Sequence, residues 1–417
     1  MKKALIVFLC VLLTGCAPTS GTSAQSTVSQ STPQDSSVQS SDSSSQDSSS
    51  GAPDASQDSE EPPSQPDPSV TSGSTENQDQ IIEELLSTMT VEEKVGQMFF
   101  VRCPDTGAVE AVSQYKLGGY ILFGRDFKDK TAEQVRNDIS SYQSASGVPL
   151  LIGTDEEGGT VVRASSNPNL FSHRGLSPQA LFAEGGMDSI IQDARQKSVT
   201  LLGLGVNVNL APVADVSTDP NDFIYDRSFG QDAQATAEYV SNVVKTMDTE
   251  GIGSVLKHFP GYGNNVDTHT GVAIDERPYE TFQTSDYLPF TAGIQAGADA
   301  VLVSHNVMSC VDNQLPASLS PAVHNELRST LGFQGVIMTD DLAMDAVAAY
   351  AGDQSPAVMA VKAGNDMIIT TDFQTQIPEV VQAVKSGEID EAQIDQSVTR
   401  VLQWKYDLGL LLSLIHI

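Results

Sequence analysis

Eight short apolar runs, rich in β-branched and large side chains, recur at 98–102, 119–123, 150–154, 206–210, 254–258, 300–304, 335–339 and 367–370. Unbroken runs of this length predict strands buried on both faces, the condition of a parallel sheet. Helical stretches lie between them, among others at 131–146, 234–250, 287–296, 321–331 and 356–363. Gly297, Gly332 and Gly364 stand where helix C-terminal caps are wanted. The stretch 167–188, with its Gly and Pro, reads as a long loop. Eight strands, each followed by a helix, predict an α/β fold of the (β/α)8 TIM-barrel type, with a doubly wound open sheet as the alternative. The polar residues discriminate. Asp155, Asp215, His258, His305 and Asp340 each fall at or just beyond the C-terminal end of a run. In a barrel those ends converge on one mouth, whereas in an open sheet they spread along a line.

The first 80 residues are different material. Lys2 and Lys3 precede an apolar run, 4–13, too short for the ~20 residues of a membrane-spanning helix. It reads as a secretory signal. Leu13-Thr14-Gly15-Cys16 resembles a bacterial lipobox, which makes 1–15 the signal peptide and Cys16 the lipidated residue. The expected location is the extracellular face of a bacterial cell membrane, held by the lipid. An ordinary signal peptide with a chance Cys is the alternative. From 17 to about 80 the chain is Ser, Gln, Thr, Pro, Asp and Gly without Lys or Arg. It lacks the apolar surface to offset its ordering entropy, so 16–80 is expected to be a disordered tether. The catalytic domain is assigned to 81–411. Residues 412–417 resemble the translated end of a sequencing-library transposon and are left out of the fold reading.

Charge and cysteines exclude more than they assign. Lys and Arg total 22 against 54 Asp and Glu, a formal net charge of -32, so a nucleic-acid partner is not expected. Of the four cysteines, Cys10 lies in the signal and Cys16 is the lipid site, which leaves Cys103 and Cys310. Two distant cysteines make neither a disulfide framework nor a metal motif. Both are expected to be buried free thiols, with a bridge between them as the alternative.

Two motifs carry the chemistry. The stretch 257–269, KHFPGYGNNVDTH, follows the fifth strand, and Gly261 and Gly263 make it a loop. Asp267 and His269 are two apart, so an extended loop brings carboxylate and imidazole together as a proton shuttle near neutral pH. A capped surface loop is one alternative. A metal site from His258, Asp267 and His269 is another, though without regular ligand spacing. In 335–344, GVIMTDDLAM, a strand delivers Asp340 to the mouth, where an ionised carboxylate can attack an anomeric carbon. Asp341, further beyond the strand, suits a helix cap better.

These motifs are similar to those of glycoside hydrolase family 3, particularly its β-N-acetylglucosaminidase branch. Further matching pieces are TDEEGG at 154–159 with Arg163, NLAPVAD at 209–215, DRSFG at 226–230, PASLS at 316–320 and AGNDM at 363–367. The resemblance spans about 86–410. It implies that Asp340 is the nucleophile of a retaining double displacement and that His269, paired with Asp267, is the acid/base. It further implies that Asp155, Arg163, Arg227, Lys257 and His258 hold a terminal N-acetylglucosamine, with no cofactor and no metal. For Arg163 a salt bridge to Glu157 is the alternative role, as is a bridge from Asp226 to a nearby cation. The loop departs from the family's usual wording at Tyr262, where His is commoner, and at Thr268, where Ser is. It is also one residue shorter before the Asp. Many members add a second domain that supplies an acid/base Glu; the loop dyad is the candidate here.

The expected activity is exo-cleavage of β-linked N-acetylglucosamine from peptidoglycan-derived fragments. A β-glucosidase, a β-xylosidase and an N-acetylglucosaminide phosphorylase share the expected fold. A sugar-binding lipoprotein without turnover is the alternative of another class.

Overall fold

The computed structural model describes residues 69–414, apart from 269, 270, 272, 345, 346, 348 and 349. Cys16, the signal peptide, most of the tether and the proposed acid/base His269 lie outside the described residues. All eight apolar runs form strands: β1 Phe99–Arg102, β2 Gly119–Leu122, β3 Leu151–Thr154, β4 Val208–Asn209, β5 Gly253–Phe259, β7 Ala300–Val303, β9 Val336–Thr339 and β10 Ile368–Thr370. Two-residue strands β6 Ile274–Asp275 and β8 Val307–Met308 pair with each other beside the mouth loops. The large sheet is parallel, in the order β10-β1-β2-β3-β4-β5-β7-β9. A parallel bridge between Met338 and Met367 joins its two ends, with Met367 N–H donating to Ile337 O at 3.1 Å. The sheet therefore closes into a barrel, and the open-sheet alternative is set aside.

The unbroken apolar runs are explained by burial on both faces. Phe100, Ile121, Leu151, Val255, Leu302, Met338 and Ile369 point into the barrel. Their neighbours Val101, Tyr120, Ile152, Leu256, Val301, Ile337 and Ile368 join the larger core shared with the surrounding helices. Side chains alternate between faces, but both faces are apolar, so no polar alternation survives in the sequence. At the N-terminal end of the strands Val401 and Trp404, from the helix Glu391–Asp407, plug the barrel. A Cβ on Gly253 would lie 3.0 Å from the Trp404 ring, so a larger residue there would require the ring to shift.

Three readings need correction. The stretch 167–188 is not loop throughout: a helix runs Pro178–Leu204, with Ser177 accepting from Ala180 N–H and Pro178 in the first turn. Gly185 and Gly186 have non-helical dihedrals and divide the segment into two helices at a kink, and that pair made it read as irregular chain. The helix Ser69–Thr88 begins inside the segment read as tether. Polar composition alone missed it, because its anchoring apolar residues, such as buried Ile82, come at its C-terminal end. Both Cys103 and Cys310 are free thiols, yet only Cys103 is buried; Cys310 is exposed.

Candidate active site

The C-terminal ends of the strands surround a cavity of about 360 Å³. Asp155, Arg163, Arg227, Lys257, His258 and Asp340 all line it, although they come from four separate stretches of chain. Its floor is apolar, from Ile121, Leu210, Leu302 and Ile369. Consecutive Lys257 and His258 both face it because the β5–β7 register shifts between Leu256 and Phe259, a local irregularity that breaks the usual alternation.

The cations are held by carboxylates. Lys257 Nζ lies 2.7 Å from Asp155 Oδ1 and 2.7 Å from Glu157 Oε1. Arg227 grips Glu157 with both arms, Nε at 3.0 Å and Nη2 at 2.8 Å. Burial alone would raise the Glu157 carboxyl, but Lys257 and Arg227 outweigh it and hold Glu157 well below the usual carboxylate range. Arg163 Nη2 reaches Asp155 at 3.5 Å, so its acidic neighbour is Asp155 and not Glu157. Asp226 is exposed.

His258 is oriented from both sides. Its Nδ1 lies 2.8 Å from Asp215 Oδ2 and its Nε2 3.0 Å from Arg227 Nη2. A guanidinium only donates, so Nε2 accepts and the ring proton sits on Nδ1. Asp215 is fully buried and also receives the backbone N–H groups of His258 and Tyr262. One carboxylate thereby fixes both the His258 side of the cavity and the start of the 257–269 loop.

Asp340 follows β9 directly. Its own N–H donates to Val303 O at 2.9 Å, and its Oδ1 accepts from Asp341 N–H at 2.8 Å. Asp341 Oδ1 accepts from Ala343 N–H at 3.0 Å and so holds the turn that follows. Fully buried His305 donates from Nε2 to Asp341 O at 3.0 Å, while its Nδ1 accepts from Ser318 Oγ at 2.7 Å. The PASLS motif thus braces the turn that presents Asp340. The AGNDM motif is scaffold: Asp366 accepts from Ile337 N–H and from Arg400, and pairs with Arg328.

Asp267 lies half-buried in the loop after β5 and is not among the described residues that line the cavity. The loop is pinned at its start. A Cβ on Gly261 (φ +115) would meet Asp286 Oδ1 at 2.4 Å, and Arg277 donates to Gly261 O at 3.3 Å. Arg277 is itself clamped by Asp275 and Asp286. Among the described residues no group of three or more His, Cys, Asp or Glu is arranged to hold a metal.

The model of the glycosyl hydrolase family 3 N-terminal domain matches residues 90–404. The chain belongs to glycosyl hydrolase family 3. It is similar to a β-hexosaminidase of Xanthomonas campestris pv. campestris, 32% identical over 286 residues, 67% of this chain and 84% of the relative. A β-hexosaminidase of Xylella fastidiosa is 33% identical over 61% of this chain and 76% of its own. Among solved structures, a family 3 β-N-acetylglucosaminidase from Paenibacillus sp. superposes with a TM-score of 0.72 at 31% identity. That match covers 78% of this chain, which spans only 63% of the Paenibacillus protein.

Two charged cavity residues, Glu157 and Arg102, were not among the site residues expected from the sequence. Glu157 joins Lys257 to Arg227, and Arg102, the last residue of β1, stacks 4.3 Å over the Phe123 ring. Arg163 lies 5.3 Å from the centre of the same ring. Position at a strand end was the available signal for Arg102, as it was for Asp340. For Glu157 only the three-dimensional pairing reveals the role, since Asp155, Glu156 and Glu157 are chemically alike. Glu156 instead turns inward and accepts from the backbone N–H groups of Arg163, Ala164 and Ser165.

Proposed function

We propose that the protein is a retaining exo-β-N-acetylglucosaminidase. The observation that carries this reading is Asp340 facing, across one cavity, the cluster of Asp155, Lys257, Arg163 and Arg227. Carboxylate and cationic groups on one wall suit the hydroxyls of a neutral sugar, and a carboxylate at a strand end suits attack on its anomeric carbon. The Asp340 carboxylate displaces the aglycone to form a glycosyl ester, and water then releases the sugar with net retention. His269, oriented by Asp267, gives its proton to the leaving oxygen and afterwards takes one from the attacking water. A cavity with a closed apolar floor suits one terminal sugar rather than the middle of a polymer. The β-hexosaminidase relatives support the 2-acetamido sugar, and peptidoglycan-derived fragments are the proposed source. Cys16 carries the lipid, which holds the enzyme at the outer face of the cell membrane.

Mass spectrometry after reaction with a slow 2-deoxy-2-fluoro glycoside or N-acetylglucosaminide should find the glycosyl adduct on Asp340. An adduct elsewhere overturns the assignment. Turnover of nitrophenyl β-glucoside but not of the N-acetylglucosaminide overturns the substrate class. Cys16→Ala should release the enzyme into the medium.

A further inference from the structure

Two side chains of the 257–269 loop, Tyr262 and Thr268, touch each other. Tyr262 Oη and Thr268 Oγ1 are 2.6 Å apart, and both residues are buried, at 1% and 0% exposure. After buried Gly263 the chain between them comes to the surface: Asn264 and Val266 are exposed, Asn265 and Asp267 half-buried. Thr268 therefore dips back into the protein from an otherwise exposed excursion and meets the Tyr262 hydroxyl there.

Tyr262 itself is rigidly placed. Its N–H donates to Asp215 Oδ1 at 2.7 Å, and its carbonyl accepts from both the backbone and the side chain of Asn265. Its ring stands edge-on to His258 at 5.2 Å and to Phe223 at 5.5 Å. Burial first, and then the charge of Asp340, hold its phenol above the ordinary range, so the hydroxyl stays protonated at any working pH. Asp215 orients His258 and Tyr262 together, so Tyr262 belongs to the same rigid body as the sugar-binding wall. Thr268 lies between Asp267 and His269 in the chain.

We infer that the Tyr262–Thr268 hydroxyl pair is a latch that fixes the loop immediately before the proposed acid/base residue, which makes Tyr262 a positioning residue for proton transfer. A buried hydroxyl pair is costly to break one-sidedly, because the remaining partner stays unsatisfied. The inference rests on the reading of His269 and Asp267 as the acid/base.

The test separates proton delivery from the rest of the site by leaving group. An alkyl β-N-acetylglucosaminide needs a proton to depart, whereas a 2,4-dinitrophenyl glycoside does not. Tyr262→Phe and Thr268→Val should each lower kcat/KM on the alkyl substrate about tenfold or more and change the dinitrophenyl value less than about twofold. The double variant should lose no more than either single one, because both remove the same bond. Thr268→Ser keeps the hydroxyl and should retain wild-type activity, so the Ser and Val variants suffice should Tyr262→Phe fail to fold. Equal losses on both substrates, no loss on the alkyl substrate, or additive losses overturn the latch. His269→Ala serves as reference. If it shows the leaving-group-selective loss and the latch variants do not, the latch alone falls. If His269→Ala shows no such loss, the acid/base reading falls and the latch with it.

Discussion

Two buried lysines sit at opposite ends of the barrel and have opposite fates. Lys257, at the mouth, is 3% exposed, and Lys405, at the plugged end, is 0% exposed. Burial alone would depress both. Around Lys257 the carboxylates of Asp155 and Glu157 reverse that effect and raise its pKa above the ordinary lysine value. Lys405 Nζ has the neutral Gln97 Oε1 at 2.6 Å, and burial pushes it down to about 7. Depth does not decide charge; the partners do. At the mouth the barrel keeps permanent charges by pairing them around a cavity, and at its other end it fills the space with Trp404.

The sharpest way to break this contrast is Glu157→Gln. Removing one charge from the network leaves Lys257 and Arg227 short of a carboxylate, a change that costs about 3–5 kcal/mol for a buried pair. Stability should fall by that order in a denaturant titration, and kcat/KM by about a hundredfold or more. Retained activity and stability would mean that Asp155 alone holds both cations.

Lys405→Met should act in the opposite direction. Unfolded, Lys405 titrates near ~10.4; folded, near 7. Between those values the unfolded chain binds more protons, so this residue makes stability rise with pH across that window, and its cost is fully present below about 7. Replacing it should raise the melting temperature at pH 6 by on the order of 2–4 °C, flatten the slope between pH 7 and 10, and leave turnover unchanged. An unchanged slope would show that Lys405 is not neutral in the fold near pH 8.

The smallest effect belongs to Arg102→Gln. Arg102 lines the mouth on the face of Phe123, so kcat/KM should fall about threefold to tenfold with little change in melting temperature. A loss as large as that of Glu157→Gln would place Arg102 inside the binding network rather than at its rim.

The barrel was legible because its strands are buried on both faces, and such strands write themselves as plain apolar runs. Asp155, His258 and Asp340 were legible because a barrel gathers strand ends, whereas Lys257 came from the family resemblance alone. The helical segment Pro178–Leu204 was obscured by Gly185 and Gly186, whose non-helical dihedrals divide it into two helices at a kink. Glu157 was obscured by its neighbours, since three consecutive acidic residues part ways only when the chain folds. Asp155 faces the cavity, Glu156 caps a turn and Glu157 binds Lys257 and Arg227.

By itself the sequence determined the strand count, the barrel class and the candidate nucleophile, because periodicity and strand-end position are local properties of the chain. Tertiary structure decided which carboxylate meets which cation, that Tyr262 meets Thr268, and that Lys405 is deprived of a counter-charge. Those outcomes depend on contacts between residues up to 308 positions apart, as between Gln97 and Lys405, and such distances leave no period in a sequence.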